Sequence, residues 1–182
     1  NILDPLEIVN KYGVDQLRYY LLKEVSLGND GNVSMENLKN CINNDLANNF
    51  GNLCQRVFSF IEKNCAGKLP KPKDLQEEDN ELLYNLVNKV PELISLMDNQ
   101  DLNNYIKKVV DFSFDANKYF NDSEPWAVKK KDIERMNSIL YTIVHQIKNI
   151  SILLSPIIPD SANKVLNTLN NKLWHLQQVP LH

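Results

Sequence analysis

Apolar positions along this chain recur at three- and four-residue steps, the spacing of helices that bury one face. The longest such run, from Met35 to about Cys65, places Leu38, Ile42, Leu46, Phe50, Leu53, Val57 and Phe60 on one stripe of a single helix that Ser34 caps and Gly67 ends. Before it, Asp4-Pro5-Leu6-Glu7 reads as a cap, a first-position proline and a capping box for a short helix that stops near Gly13. A second amphipathic segment, Asp15 to Val25, runs through Leu17, Tyr20 and Leu21 until Gly28-Asn29-Asp30-Gly31 breaks it.

After Gly67, Leu69-Pro70-Lys71-Pro72-Lys73 is a stiff linker, and Glu77-Glu78-Asp79 brings negative charge to the next helix start, where Asp74 to Glu81 read as solvated. Leu82, Leu83, Leu86 and Val90 continue the helical pattern, which Pro91 splits. Asp101 caps a further helix with Tyr105, Val109, Phe112, Ala116 and Tyr119 inward, and Ser123-Glu124-Pro125-Trp126 interrupts it. An apolar helix from about Lys131 through Ile139, Ile143, Ile147 and Ile150 to Leu154 ends at Pro156 and Pro159, and a short one covers about 160–169. With no alternating strand pattern or hairpin turn, the expected fold is all-α, an antiparallel helix bundle.

Composition narrows the function classes. Only five glycines are present, and Gly13, Gly28, Gly31, Gly51 and Gly67 form neither a GxGxxG nor a GxxxxGK[ST] spacing, so no loop of this chain is expected to cradle a nucleotide phosphate. Cys41, Cys54 and Cys65 would lie at least about 16 Å apart along one helix, too far for a disulfide, and they lack zinc-ligand spacing with His145, His175 or His182. Free thiols and no metal site are expected. Apolar runs are too short to span a bilayer and no signal peptide is evident, so the chain reads as soluble, cytoplasmic and not membrane-bound. A net charge of −3 argues against a general nucleic-acid coat, though not against a local basic patch. No catalytic constellation of nucleophile, base and orienting group is present.

One polar edge stands out. Measured from the centre of the long helix's buried stripe, a rotation of about 100° per residue puts Arg56 about 80° and Asn52 about 120° away, on one flank, with Asn48 a turn earlier and nearer solvent. On spacing alone, surface asparagines in an Asn-rich chain and an arginine snorkelling over the core are the favoured account. Trp126 after Pro125 is likewise more often a core plug than a ligand platform, and Lys129-Lys130-Lys131 a solvated turn. Trp174 and the tail to His182 read as packing or fraying. Even so, a flat aromatic, a nearby basic triplet and an Asn/Arg edge are the parts that hold a splayed single-stranded base and its phosphates.

The motifs themselves resemble a known family. Asn1-Ile2-Leu3-Asp4-Pro5 with Tyr12-Gly13-Val14-Asp15-Gln16-Leu17-Arg18-Tyr19-Tyr20-Leu21 resembles the stretch after the Lys-Met-Ser-Lys-Ser loop of class I aminoacyl-tRNA synthetases. Asn44-Asp45-Leu46-Ala47-Asn48-Asn49-Phe50-Gly51-Asn52-Leu53-Cys54-Gln55-Arg56, and Ala116-Asn117-Lys118-Tyr119 with Glu124-Pro125-Trp126, resemble the two anticodon-domain signatures of the methionyl branch. The likeness covers nearly the whole chain, more weakly over 69–100 and after Asn163. It implies a helix bundle (35–182) that binds the CAU anticodon stem-loop of tRNA(Met), preceded by a stem-contact junction (1–34) to the catalytic domain of the parent enzyme. Asn52 and Arg56 would read the first anticodon base and Trp126 would stack on it, with Asn48, Lys129, Lys130 and Lys131 as additional RNA contacts. No catalytic residue and no cofactor would lie in this chain; ATP and Mg2+ would serve the parent's catalytic domain, and a monomer is expected. Two other readings stay open at this point: the equivalent bundle of an isoleucine, leucine, valine or cysteine enzyme, and a non-catalytic helical protein-interaction module.

Overall fold

The computed structural model of the chain describes residues 4–25 and 33–173. Every regular element among them is helical, and in chain order they are α1 (Pro5–Tyr12), α2 (Val14–Glu24), α3 (Met35–Cys41), a π-helical stretch (Ile42–Gly51), α4 (Asn52–Cys65), α5 (Glu77–Val87), α6 (Val90–Asp98), α7 (Leu102–Ser123), α8 (Pro125–Val128), α9 (Ile133–Leu154) and α10 (Pro159–Thr168), which runs on into a π-helical turn at Leu169–Leu173. The all-α bundle is as expected. Gly28, Gly31, Trp174, His175 and His182 lie outside the described residues.

The caps follow local chemistry. The Asp4 carboxylate accepts from the Leu6 amide, Ser34 from Asn37 and Asp132 from Arg135, each meeting a backbone donor that a helix start leaves unpaired. Pro91 sits in the first turn of α6, so the proline divides α5 from α6 where its missing N–H does least harm. The long helix ends one residue before the expected glycine: Ala66 takes the left-handed conformation at φ 51° and Gly67 follows at φ 70°, with the Gly67 amide returning to the Ile61 carbonyl at 3.3 Å.

The run from Met35 to Cys65 is unbroken but not uniformly α-helical. Across Ile42–Gly51 the backbone bonds reach one residue farther back, which widens the turn. A Cβ on Gly51 would lie 2.9 Å from the Leu46 carbonyl oxygen, so this register admits glycine there and strains anything larger. The wider turn also carries Asn49 into the interior, where it is 2% exposed, rather than onto the surface beside Asn48 and Asn52. There the Asn117 side-chain amide donates to the Asn49 Oδ1 at 2.7 Å.

The 22-residue helices α7 and α9 pack directly on each other at the centre, burying Ile106, Val109 and Phe120 against Ile139, Ile143 and Ile147. The α2 helix joins the same core through Tyr19 and Tyr20, both fully buried. Its polar side chains tie it down: Tyr19 Oη and Lys23 Nζ donate to the Asp45 carboxylate at 2.8 and 2.6 Å, and the Arg18 guanidinium donates to the Pro156 and Ile157 carbonyls at 2.9 and 3.0 Å. Asp15 accepts from the Ser161 amide at 2.6 Å in the first turn of α10.

Asp79 departs from the solvated helix start expected of its sequence neighbourhood. It is fully buried, accepting from the Gln76 amide at 2.9 Å, from the Tyr119 hydroxyl and from both terminal nitrogens of Arg135. A tyrosine on α7 and an arginine on α9, distant in sequence, convert one of three adjacent acids into an interior anchor. The three cysteines are free, and burial pushes the Cys41 and Cys54 thiols up to about 12. Among the described residues, no helix is long and apolar enough to cross a membrane and no three His, Cys, Asp or Glu side chains cluster as a metal site.

Candidate nucleic-acid interface

The α4 helix begins where the π-helical stretch ends, so Asn52 and Arg56 sit one ordinary turn apart on its flank. Asn52 is exposed, as is Asn48 a turn earlier, and Arg56 is half-buried. Across from Arg56 stands the C-terminal end of α7. The guanidinium donates from Nη2 to the Asn121 Oδ1 at 2.7 Å, and its carbon lies 5.2 Å from the centre of the Phe120 ring.

The same ring meets Trp126. At Glu124 the backbone turns left-handed (φ 41°), which ends α7 and lets the buried Pro125 open the single turn of α8. That reversal sets Trp126 nearly perpendicular to Phe120, ring centres 5.7 Å apart at 80°, with 41% of the tryptophan still exposed. Arg56 and Trp126, 70 positions apart in the sequence, are thus joined through one buried phenylalanine. Trp126 is neither a core plug nor a detached surface ring; it packs against the buried Phe120 and stays partly exposed.

The lysine triplet follows directly. Lys129, Lys130 and Lys131 occupy the exposed turn between α8 and α9, closed by Lys131 N–H to the Val128 carbonyl at 2.9 Å. Lys129 Nζ reaches back to donate to the Asn64 Oδ1 at 2.6 Å in the last turn of α4. Burial raises the pKa of the neighbouring Cys65 thiol, and the charge of Lys129 opposes that rise. The structure therefore brings Arg56, Trp126 and Lys129 to one side of the bundle, with Asn52 leading into it along α4 and Asn48 on the π-helical stretch before it.

Two residues of this arrangement were not singled out from sequence. Phe120 lies four positions after Ala116 and so continues the inward stripe of α7, a signal that was legible. Asn121 carried none, because its partner comes from a helix 65 residues away.

The edge combines polar and aromatic chemistry. Arginine only donates, asparagine donates and accepts, and an indole face stacks on any planar ring. Comparison with known proteins is consistent with that chemistry. Residues 69–179 match the family model described as the anticodon binding domain of methionyl tRNA ligase, and residues 1–58 match that of tRNA synthetases class I (M). The methionine–tRNA ligase of Brucella suis is 41% identical over 169 residues, covering 93% of this chain and 33% of that protein. That of Rickettsia felis is 37% identical over 182 residues, covering 93% and 34%. The crystal structure of Mycobacterium tuberculosis methionyl-tRNA synthetase bound by methionyl-adenylate superposes with a TM-score of 0.90 at 33% identity, over 99% of this chain and 38% of that one. The chain thus spans about a third of the length of the curated relatives it matches. Shared over most of its residues in both sequence and fold, these likenesses place the chain in the family of methionyl-tRNA ligase anticodon-binding domains.

Proposed function

We propose that this chain recognises the CAU anticodon of tRNA(Met), so that the catalytic domain of its parent enzyme can attach methionine to that tRNA using ATP and Mg2+. The observation that carries the proposal is the Arg56–Phe120–Trp126 run, which sets a donor-only cation and a partly exposed indole around one buried ring. A cytosine presents O2 and N3 acceptors to Arg56, whereas uracil places an N3 donor against it. Leaving such a donor desolvated and unpaired costs about 1–3 kcal/mol, enough to discriminate at one base. Asn52 accepts or donates beside it, and stacking on Trp126 adds about 1–3 kcal/mol that is indifferent to base identity. Stacking supplies affinity and the polar edge supplies identity. Asn48 and Lys129 to Lys131 add contacts at the margins.

In this reading residues 1–34 are the junction toward the catalytic domain and 35–182 the anticodon bundle, working as a monomer in the cytoplasm. No residue here takes part in amino-acid activation, so the purified chain is expected to give no methionine-dependent pyrophosphate exchange. The direct test is binding of a CAU anticodon stem-loop. Arg56→Ala and Trp126→Ala are each expected to weaken it by about 5- to 150-fold, from 1–3 kcal/mol per contact, at unchanged helicity. For Arg56→Ala the preference for CAU over UAU falls as well, while Trp126→Ala keeps it. Parent-like binding by either folded variant removes that residue from the site.

A further inference from the structure

The edge that carries Asn52 and Arg56 continues past them. Seven residues on along α4, Lys63 returns to within about 20° of the direction of Arg56 and about 10 Å farther along the axis. The helix then stops, and the left-handed pair Ala66 and Gly67 folds the chain back so that the Lys68 amide donates to the Cys65 carbonyl at 3.0 Å. Lys68 is therefore held beside the last turn of α4. From the other side Lys129 is fastened to the same turn through Asn64, with Lys130 and Lys131 exposed next to it. Among the described residues neither Lys63 nor Lys68 has an acidic partner, and both are exposed.

The opposite flank of α7 has the reverse character. Between α5 and α7 runs a groove lined by Glu78, Glu81, Asp115 and Asp122, where Lys118 is already paired with Asp122 at 2.7 Å. A polyanion seated at Arg56 and Trp126 is thus repelled from the α5 side and attracted toward the end of α4. A helix C-terminus favours a lysine in its last turn on its own account, but that preference does not explain why the end of a second segment and the α8–α9 turn bring theirs to the same place.

We infer that the lysine end of α4 is a phosphate track: Lys63 and Lys68, with Lys129 to Lys131, carry the RNA backbone as it leaves the base-reading edge. The inference rests on the anticodon reading for the identity of the RNA, but its physical signature is separate. Phosphate contacts act through counterion release, so they set the salt dependence of binding and leave sequence preference alone.

The test is a salt titration of the 182-residue chain binding fluorescently labelled CAU and UAU anticodon stem-loops. In the double variant Lys63→Gln/Lys68→Gln, the slope of log affinity against log salt is expected to shrink by about 1.4, at about 0.7 per single-strand phosphate. Affinity for the two RNAs falls by the same factor, and Lys164→Gln on α10 keeps the parental slope. A double variant with the parental slope overturns the phosphate track, as does one that loses its preference for CAU over UAU. The anticodon reading fails separately, if Arg56→Ala retains the parental preference for CAU whatever the lysine variants do.

Discussion

Asp79→Asn is expected to destabilise the fold by about 3–5 kcal/mol, read as a lowered urea midpoint at unchanged native helicity. The side chain is fully buried and carries four hydrogen bonds, two of them from Arg135, whose own side chain is only 12% exposed. An amide of the same size cannot neutralise that guanidinium. It leaves a desolvated cation whose remaining acidic partner is the half-exposed Glu78, 3.0 Å from Nη2. Because Asp79 opens α5, Tyr119 lies on α7 and Arg135 in the first turn of α9, one carboxylate fixes three helices at the end of the bundle that presents Trp126.

The same group sets an acid limit. Burial by itself would raise the Asp79 pKa, but the hydrogen bonds from Arg135, Tyr119 and the Gln76 amide outweigh it and hold the carboxyl below its ordinary value of 3.8. With the folded-state value depressed, the unfolded chain binds the extra proton first. The stabilisation is therefore complete above about pH 5, and is lost as pH falls through the ordinary carboxylate value toward the folded one. The gap in stability between the parent and Asp79→Asn is expected to be widest near neutral pH and to close as the parent is acidified. A gap that stays constant over that range would mean that packing, not charge, holds the site.

Most of the fold was legible because helices announce themselves locally. Asp4, Ser34 and Pro91 act within a turn of where they stand, and the stripes of the long helix, α7 and α9 state which face is buried. What could not be read was pairing across helices. Asp79 looks like its neighbours Glu77 and Glu78 until Tyr119 and Arg135 are folded against it. Asn49 looks like Asn48 until the π-helical turn rotates it inward, since a constant 100° per residue does not hold from Ile42 to Gly51. For the candidate site, Arg56 and Trp126 were identifiable by residue type and family motif, whereas their connection was not. It runs through Phe120, whose place on the core stripe gives no sign of what its ring touches.

That connection sets the second large effect expected. Phe120 is 1% exposed, so Phe120→Ala opens a cavity and costs about 3–5 kcal/mol, which would obscure any change in RNA binding. Phe120→Leu keeps most of the volume and removes only the π-system. Arg56 then loses the ring 5.2 Å beneath its guanidinium, an interaction worth about 0.5–1 kcal/mol at an exposed site, and Trp126 loses an edge-to-face partner worth about 0.5–1.5 kcal/mol. Freed of both, the cation and the indole sample orientations that do not bind a base. The folded Phe120→Leu variant is expected to bind a CAU stem-loop about 5- to 50-fold more weakly than the parent, although residue 120 itself makes no RNA contact. Combining it with Arg56→Ala should cost less than the two losses added, since each change removes part of the same arrangement. Strict additivity would mean that Arg56 and Trp126 are held independently, with Asn121 alone orienting the arginine.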